Sequence, residues 1–276
     1  MQTILLTSLP RSGSTWASQV IAMATRRRLI HEPFNWKRYP EREKYHMLYL
    51  PAGSNRMDLI EIIENESTAK IPFIGRLTKD KSVVLKDVHL CLAVEYVWEQ
   101  LGSDIIILIR HPCGMANSWI KLNFEVRFRL DLLLSQHNLM ENYLFPFKDH
   151  LSLNRDKWFE IGAYWGASHY VLDQISQAHP EWMWITHEEL CVNSASRYQQ
   201  LLTNLGIKID PIGKKRLLAF LDRHNRRIIE NKPYSVSRIS VDEPVKWRRQ
   251  MTPEQINSVI EGAEPFGIMQ KYYNGV

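Results

Sequence analysis

Residues able to bind an anion are concentrated near the start of the chain, between Pro10 and Trp16, in the order Pro-Arg-Ser-Gly-Ser-Thr-Trp. Arg11 supplies a permanent cation, and Gly13 allows backbone N–H groups to approach a ligand closely. Hydroxyl donors follow at Ser12, Ser14 and Thr15. Together these residue types indicate a site for a phosphate or a sulfate.

The segments on either side explain how this run would be positioned. Ile4 to Leu6 form a short apolar run that predicts a buried strand, and Ala17 to Arg27, rich in Ala, Val, Ile and Met, predict a helix. A strand, a tight turn and a helix N-terminus bring unpaired N–H groups and the positive end of the helix dipole to one point. The sequence therefore predicts a phosphate-binding loop.

This loop is not the nucleotide-triphosphate loop Gly-x-x-x-x-Gly-Lys-Ser/Thr, because no lysine follows Gly13 and Arg11 precedes it. It resembles the loop of the sulfotransferases that use 3′-phosphoadenosine 5′-phosphosulfate (PAPS), which reads roughly Pro-Lys/Arg-Ser-Gly-Thr/Ser-Thr-Trp. Every position from Pro10 to Trp16 agrees with that pattern. The resemblance implies that residues 11–16 bind the 5′-phosphosulfate and that Arg11 stabilises the leaving phosphate.

A second anion-binding pair follows the strongest strand signal, Asp104 to Ile109. Arg110 lies at its carboxyl end, where open α/β sheets bind their ligands, and Ser118 lies eight residues later in the next predicted helix. A guanidinium and a hydroxyl together offer several donors to a phosphate dianion. The PAPS family has the same spacing, which implies that Arg110 and Ser118 hold the 3′-phosphate.

Two other segments resemble the family less closely. The predicted strand from Trp182 to Thr186 is followed by His187, at the position where relatives have the aromatic residue of a Tyr-Glu-Asp-Leu motif that contacts adenine. Lys246-Trp247-Arg248-Arg249 resembles the Trp-Lys segment that closes the cofactor site, so Arg248 is a candidate cofactor ligand. The Arg-Lys-Gly that normally precedes it is absent, and Arg238 is the nearest basic substitute.

Two residues compete for the role of general base. Glu32 lies in His31-Glu32-Pro33-Phe34, and in several bacterial and carbohydrate-directed sulfotransferases a Glu in a similar segment faces the acceptor. His89 follows the second predicted strand, but it lies one residue beyond the Lys-x-His spacing of many cytosolic members. A shift of one residue on a strand turns a side chain to the other face. We rank Glu32 first, His89 second and Asp87 third, and we expect Lys86 to bind sulfate or phosphate oxygens.

Strands alternate with helices along the whole chain, with further strands predicted at Ser82 to Lys86 and Trp182 to Thr186. We find no repeat and no low-complexity linker. The sequence therefore predicts one α/β domain over residues 1–276, built as a parallel, P-loop-like sheet flanked by helices.

Composition narrows the class of protein. The net charge is +5 and the pI is near 9.0, yet there is no dense Lys/Arg tract, so a small polyanion explains the basic excess better than nucleic acid. The three cysteines are too widely spaced for a disulfide framework or a zinc site, and we expect no metal. No apolar run approaches about 20 residues, and the first strand begins almost at Met1, so we expect no signal peptide and a cytoplasmic, membrane-free protein.

We therefore expect an enzyme that moves a sulfuryl group from PAPS to a hydroxyl or amine of a small molecule, such as a secondary metabolite, in a monomer or homodimer. A kinase-like phosphotransferase is the alternative enzyme, and a nucleotide-binding module without chemistry is the alternative outside enzymes. Aromatic residues from two segments are candidates for an acceptor pocket, although half of them are expected in the core or on a dimer surface: Trp36, Tyr39, Tyr45, Tyr49, Phe124, Phe128, Tyr143, Phe145 and Phe147.

Overall fold

A computed structural model describes residues 3–68, 82–224 and 242–273. Its centre is a five-stranded parallel sheet with the strand order β2-β3-β1-β4-β5. The strands are β1 (Thr3–Thr7), β2 (Arg28–His31), β3 (Val83–Asp87), β4 (Asp104–Ile109) and β5 (Met183–Thr186). The predicted α/β class with a parallel sheet is confirmed.

Helices cover both faces of the sheet. The longer ones are α1 (Ser14–Thr25), α2 (Met57–Thr68), α3 (Val94–Leu101), α4 (Pro112–Lys121) and α5 (Arg127–Leu134). After the short α6 (His137–Leu139) and α7 (Lys148–Ser152) come α8 (Lys157–Ser176), α9 (His187–Cys191), α10 (Ser194–Asn204), α11 (Pro211–His224), α12 (Pro253–Ala263) and α13 (Ile268–Tyr272).

Alternate residues of the central strands enter two separate cores, which is why these strands are apolar at nearly every position. Leu5, Ile105 and Ile107 pack on the side of α4 and α8, whereas Ile4 and Ile106 pack on the side of α1, α10 and α11. Burial on both faces fixes the register of the strands, and so it fixes where each strand ends.

The sequence pattern did not predict the edge strand β2. It predicted a helix that continues to Arg27 and a loop that begins at His31. The helix α1 ends at Thr25 because Arg26 adopts a left-handed conformation with φ 56°. Arg28 to His31 then pair with Val83 to Lys86 of β3. This turn brings the chain back to the carboxyl edge of the sheet at Glu32.

Cys91, Cys113 and Cys191 are buried, free thiols. No helix within the described ranges is long and apolar enough to cross a membrane.

Candidate active site

The carboxyl ends of β1, β2, β3, β4 and β5 open onto one cavity of about 440 Å³. Its lining includes five cationic side chains and two carboxylates, so the cavity suits a ligand with several negative charges. The cations are Arg11, Lys37, Lys86, Arg110 and Arg129, and the carboxylates are Glu32 and Glu243.

The loop between β1 and α1 forms one wall. Gly13 precedes the helix in a left-handed conformation with φ 87°, and an added Cβ there would lie 2.4 Å from Nδ1 of His187. Oγ of Ser12 is buried and has no hydrogen-bond partner within the described part of the chain. A left-handed backbone that favours glycine, an unsatisfied hydroxyl and a helix N-terminus together form a site that can donate hydrogen bonds to an anion.

Contacts from β4 and α4 hold this loop in place. Nε of Arg11 donates to Oγ of Ser118 at 2.9 Å, and Nη1 of Arg110 donates to the carbonyl of Arg11 at 2.9 Å. The indole of Trp119 donates to the carbonyl of Pro10 at 2.9 Å. Arg11, Arg110 and Ser118, which the sequence assigned to two different phosphates, are therefore neighbours.

Arg110 is the better placed of the second pair to contact a ligand, because it lines the cavity and its Nε is buried without a hydrogen-bond partner among the described residues. Its Nη2 lies 3.9 Å from a carboxylate oxygen of Glu243. Ser118 is outside the cavity lining, and its hydroxyl instead accepts a hydrogen bond from Arg11, which lines the cavity. Sequence reasoning did not identify Glu243 as part of the site.

Three other candidate cofactor residues have different positions. His187 begins α9, where the capping box of Thr186 and Glu189 fixes the turn, and it lines the cavity beside Gly13. Arg248 is exposed, outside the cavity lining, with its guanidinium 5.2 Å from the centre of the Trp247 ring. Arg238 lies outside the described residues.

Glu32 and Lys86 also line this cavity, and they form an ion pair through Oε1 of Glu32 and Nζ of Lys86. The second carboxylate oxygen accepts a hydrogen bond from Nδ2 of Asn35 at 3.0 Å. Burial alone would raise the pKa of Glu32, but the neighbouring Lys86 ammonium outweighs it and leaves the pKa below its ordinary value. Glu32 is therefore a carboxylate at neutral pH.

His89 and Asp87 are close in sequence to Lys86, but only His89 lines the cavity. His89 lines the cavity, and burial lowers its pKa to about 4. Asp87 is fully buried, which raises its pKa to about 6, and its carboxylate accepts hydrogen bonds from the backbone N–H groups of Phe34 at 2.9 Å and His89 at 2.6 Å. Asp87 thus shapes the loop that carries His89, and its side chain is outside the cavity lining.

Several residues of the cavity were not found from the sequence. Arg129 and Lys37 line the cavity, and His46 joins Arg129 to His89 by hydrogen bonds. They come from segments with no motif, so no local pattern identifies them. Of the aromatic residues expected around the acceptor, Phe124 lines the cavity, whereas Tyr45 and Tyr49 are core residues.

Across residues 3–68, 82–224 and 242–273, no group of three or more His, Cys, Asp or Glu side chains is placed to hold a metal ion. The absence of a metal therefore stays a prediction.

Comparison with known proteins supplies the family of the chain. The family model of the sulfotransferase domain matches residues 1–265. No curated protein sequence matches the chain.

Among solved structures, the sulfotransferase domain from the curacin biosynthetic pathway is 14% identical with a TM-score of 0.53, covering 99% of this chain and 98% of that one. Mouse sulfotransferase SULT7A1 complexed with PAP is 14% identical with a TM-score of 0.47, covering 98% of this chain and 89% of that one. The sulfotransferase domain from the Synechococcus PCC 7002 olefin synthase is 13% identical with a TM-score of 0.48, covering 96% and 94%. At 14% identity, the similarity to the curacin domain supports the fold and nothing beyond it.

Proposed function

We propose that this chain, which belongs to the sulfotransferase domain family, is a PAPS-dependent enzyme that transfers a sulfuryl group to a hydroxyl or amine of a small-molecule acceptor in the cavity described above. The observation that carries this proposal is the pairing, in one cavity, of an anion-binding loop at Arg11 with an ionised carboxylate at Glu32. The first suits a charged leaving group, and the second suits the proton of an acceptor.

The residues present fit PAPS at the phosphate-binding end. We assign the 5′-phosphosulfate to Arg11, the backbone around Gly13 and the unsatisfied hydroxyl of Ser12, with Ser14 and Thr15 beginning α1 beside it. Arg110 is assigned to the 3′-phosphate, with Ser118 holding Arg11. His187 packs against Gly13 and is our candidate for the adenine side.

When bound, PAPS would supply the sulfuryl group: a bond from the acceptor oxygen or nitrogen to sulfur would form as the S–O bond to the 5′-phosphate breaks. Arg11 neutralises charge on the departing phosphate, and Lys86 donates to oxygens at the transfer point. Glu32 accepts the acceptor's proton, and the hydrogen bond from Asn35 fixes the orientation of its carboxylate.

Two observations favour this reaction over transfer of a phosphoryl group. The loop has Arg11 and no lysine after Gly13, and the acids that line the cavity are each beside a cation, Glu32 at Lys86 and Glu243 at Arg110. Carboxylates held in this way are poor candidates for the Mg²⁺ ligands of a kinase.

Secondary metabolism is our proposal for the biological setting, and it rests on the expectation of a small acceptor. A monomer or homodimer in the cytoplasm stays part of the same proposal.

The decisive experiment measures transfer from labelled PAPS across a panel of phenols, alcohols, amines and sugars, in EDTA and in Mg²⁺. We expect turnover of at least one acceptor in EDTA. A thermal shift with 3′-phosphoadenosine 5′-phosphate (PAP), larger than the shift with ATP and Mg²⁺, is the matching binding result. Activity with ATP that requires Mg²⁺ would contradict the proposal, and binding of PAP without any turnover would favour the non-catalytic module.

A further inference from the structure

A series of three buried side chains runs from helix α5 to the cavity. Nη1 of Arg129 lies 2.7 Å from Nε2 of His46, and Nδ1 of His46 lies 2.8 Å from Nδ1 of His89. The three residues are 8%, 2% and 7% exposed, respectively, so water does not compete for these bonds. We call Arg129, His46 and His89 the Arg–His–His series.

The positions of the protons in this series follow from the chemistry of arginine. A guanidinium only donates, so Nε2 of His46 must accept and carries no proton. His46 therefore holds its single proton on Nδ1 and donates it to Nδ1 of His89. Because Nδ1 of His89 accepts, the neutral ring of His89 must carry its proton on Nε2.

The surroundings keep both rings neutral. Burial lowers the pKa of His46 far below its ordinary value, and Arg129 lowers it further. Burial likewise lowers the pKa of His89, although Glu32 acts in the opposite direction. The other charges that act on His89 are those of Arg129, Lys86 and Lys37, all cationic. At neutral pH, His89 is therefore a neutral imidazole with a defined tautomer.

We propose that Arg129 and His46 are positioning residues that fix His89 as the Nε2–H tautomer, so that His89 donates a hydrogen bond at the transfer point and Glu32 is the base. The inference rests on the proposed sulfuryl transfer and assigns the protons within its site. With Nδ1 engaged by His46, the other nitrogen of His89 is the one available to the cavity that the ring lines. A donor there stabilises negative charge on the oxygens that meet during transfer.

The opposite assignment carries a structural cost. If His89 were the base, its Nε2 would be bare and its Nδ1 would hold the proton. Nδ1 of His46 would then have to accept, and its proton would move to Nε2, facing an N–H of Arg129 at 2.7 Å. Two donors would oppose each other in a buried position, which is costly.

The first test reads the tautomer directly and needs no turnover. We would record long-range ¹⁵N–¹H spectra of the imidazoles at pH 7 in the wild type, in Arg129→Met and in Arg129→Lys. We expect Nε2 of His89 to be protonated and Nδ1 bare in the wild type. Arg129→Met should give a mixture of tautomers, and Arg129→Lys, which keeps a cationic donor, should restore part of the wild-type pattern. A wild-type His89 protonated on Nδ1 would overturn the proposal.

The second test uses turnover with PAPS. His89→Gln places an amide N–H near the position of Nε2 but cannot serve as a base, whereas His89→Ala removes both functions. We expect His89→Ala to lose about 10²–10³-fold in kcat and His89→Gln to recover at least about tenfold of that loss, with PAP affinity unchanged. Equal loss in both variants, with PAP still bound, would mean that His89 is the base.

These outcomes separate the inference from the proposed function. If the wild type neither binds PAP nor transfers sulfuryl groups, the proposed function fails, whereas the spectra still decide the tautomer of His89. If the wild type is active and its His89 is protonated on Nδ1, the proposed function stands and the inference fails.

Discussion

Replacing Glu32 with Gln should damage both stability and turnover, because the same carboxylate neutralises a buried ammonium. The side chain of Lys86 is 2% exposed and that of Glu32 is 17% exposed. Removing one partner of a fully buried ion pair costs about 3–5 kcal/mol. Glu32 faces a cavity that water can enter, so we expect a smaller loss, about 1–3 kcal/mol. For a chain of this size that corresponds to a decrease in Tm of roughly 2–5 °C.

The assay pairs calorimetry with turnover. Glu32→Gln should lose roughly 10²–10⁴-fold in kcat, because the amide cannot accept a proton, while PAP affinity should change little. The double variant Glu32→Gln/Lys86→Met removes both charges and should recover much of the lost Tm without recovering turnover. Glu261→Gln is the matched control, since its partner Arg155 is 38% exposed and exposed pairs contribute little.

The pH dependence of Tm provides a second measurement of the Glu32–Lys86 ion pair. The folded-state pKa of Glu32 lies below its ordinary value, so the pair stabilises the protein above the unfolded pKa, near 4.3, and this contribution is lost as the pH falls through the folded pKa. The difference in Tm between the wild type and Glu32→Gln should therefore shrink at low pH. A Glu32→Gln variant with the wild-type Tm at pH 7 and undiminished kcat would refute the reasoning on both counts.

Three other substitutions test the rest of the site. Arg110→Ala should weaken binding of PAP about tenfold to hundredfold more than binding of adenosine 5′-phosphate, by calorimetry, and equal losses for both would contradict the 3′-phosphate assignment. Gly13→Ala should weaken PAP binding and lower Tm, because φ is 87° and the new Cβ would lie 2.4 Å from His187. Gly53→Ala, with φ 76° and nothing within 4 Å, is its control and should show the backbone cost alone. Asp87→Asn should cost about 1–3 kcal/mol of stability by calorimetry, because an amide cannot accept from both backbone N–H groups, but less kcat than Glu32→Gln.

The parts of the site that could be predicted from the sequence are those held by consecutive residues. The run from Pro10 to Trp16 contains its strand end, its turn and its helix start, so local chemistry sufficed to place it. Arg110 was placed equally well, because five apolar residues define β4 and therefore its end. Ser118 was found by spacing, but its contact with Arg11 depends on how α4 packs beside the β1 loop.

The acceptor end could not be predicted in the same way, because its residues come from segments that are distant in sequence. Arg129 meets His46 across 83 positions and His46 meets His89 across 43, and no motif connects them. The sequence did not predict β2 because the strand has only four residues, begins and ends with the polar residues Arg28 and His31, and therefore lacks a continuous apolar run. Such composition is common at the edge of a sheet. Without β2, the position of Glu32 beside Lys86 could not be anticipated.

The backbone at each of the two proposed catalytic charges is held by a neighbouring strand. Arg11 and Glu32 both adopt left-handed conformations, with φ 71° and 47°, although neither is glycine. Contacts with the neighbouring strands maintain them: Arg110 donates to the carbonyl of Arg11, and the N–H of Glu32 donates to the carbonyl of Lys86 at 2.7 Å. Because β3 lies between β1 and β2, the ends of β1 and β2 are about 10 Å apart. Arg11 and Glu32 therefore lie on loops that follow two different strands, and the strand order brings both loops to the border of one cavity.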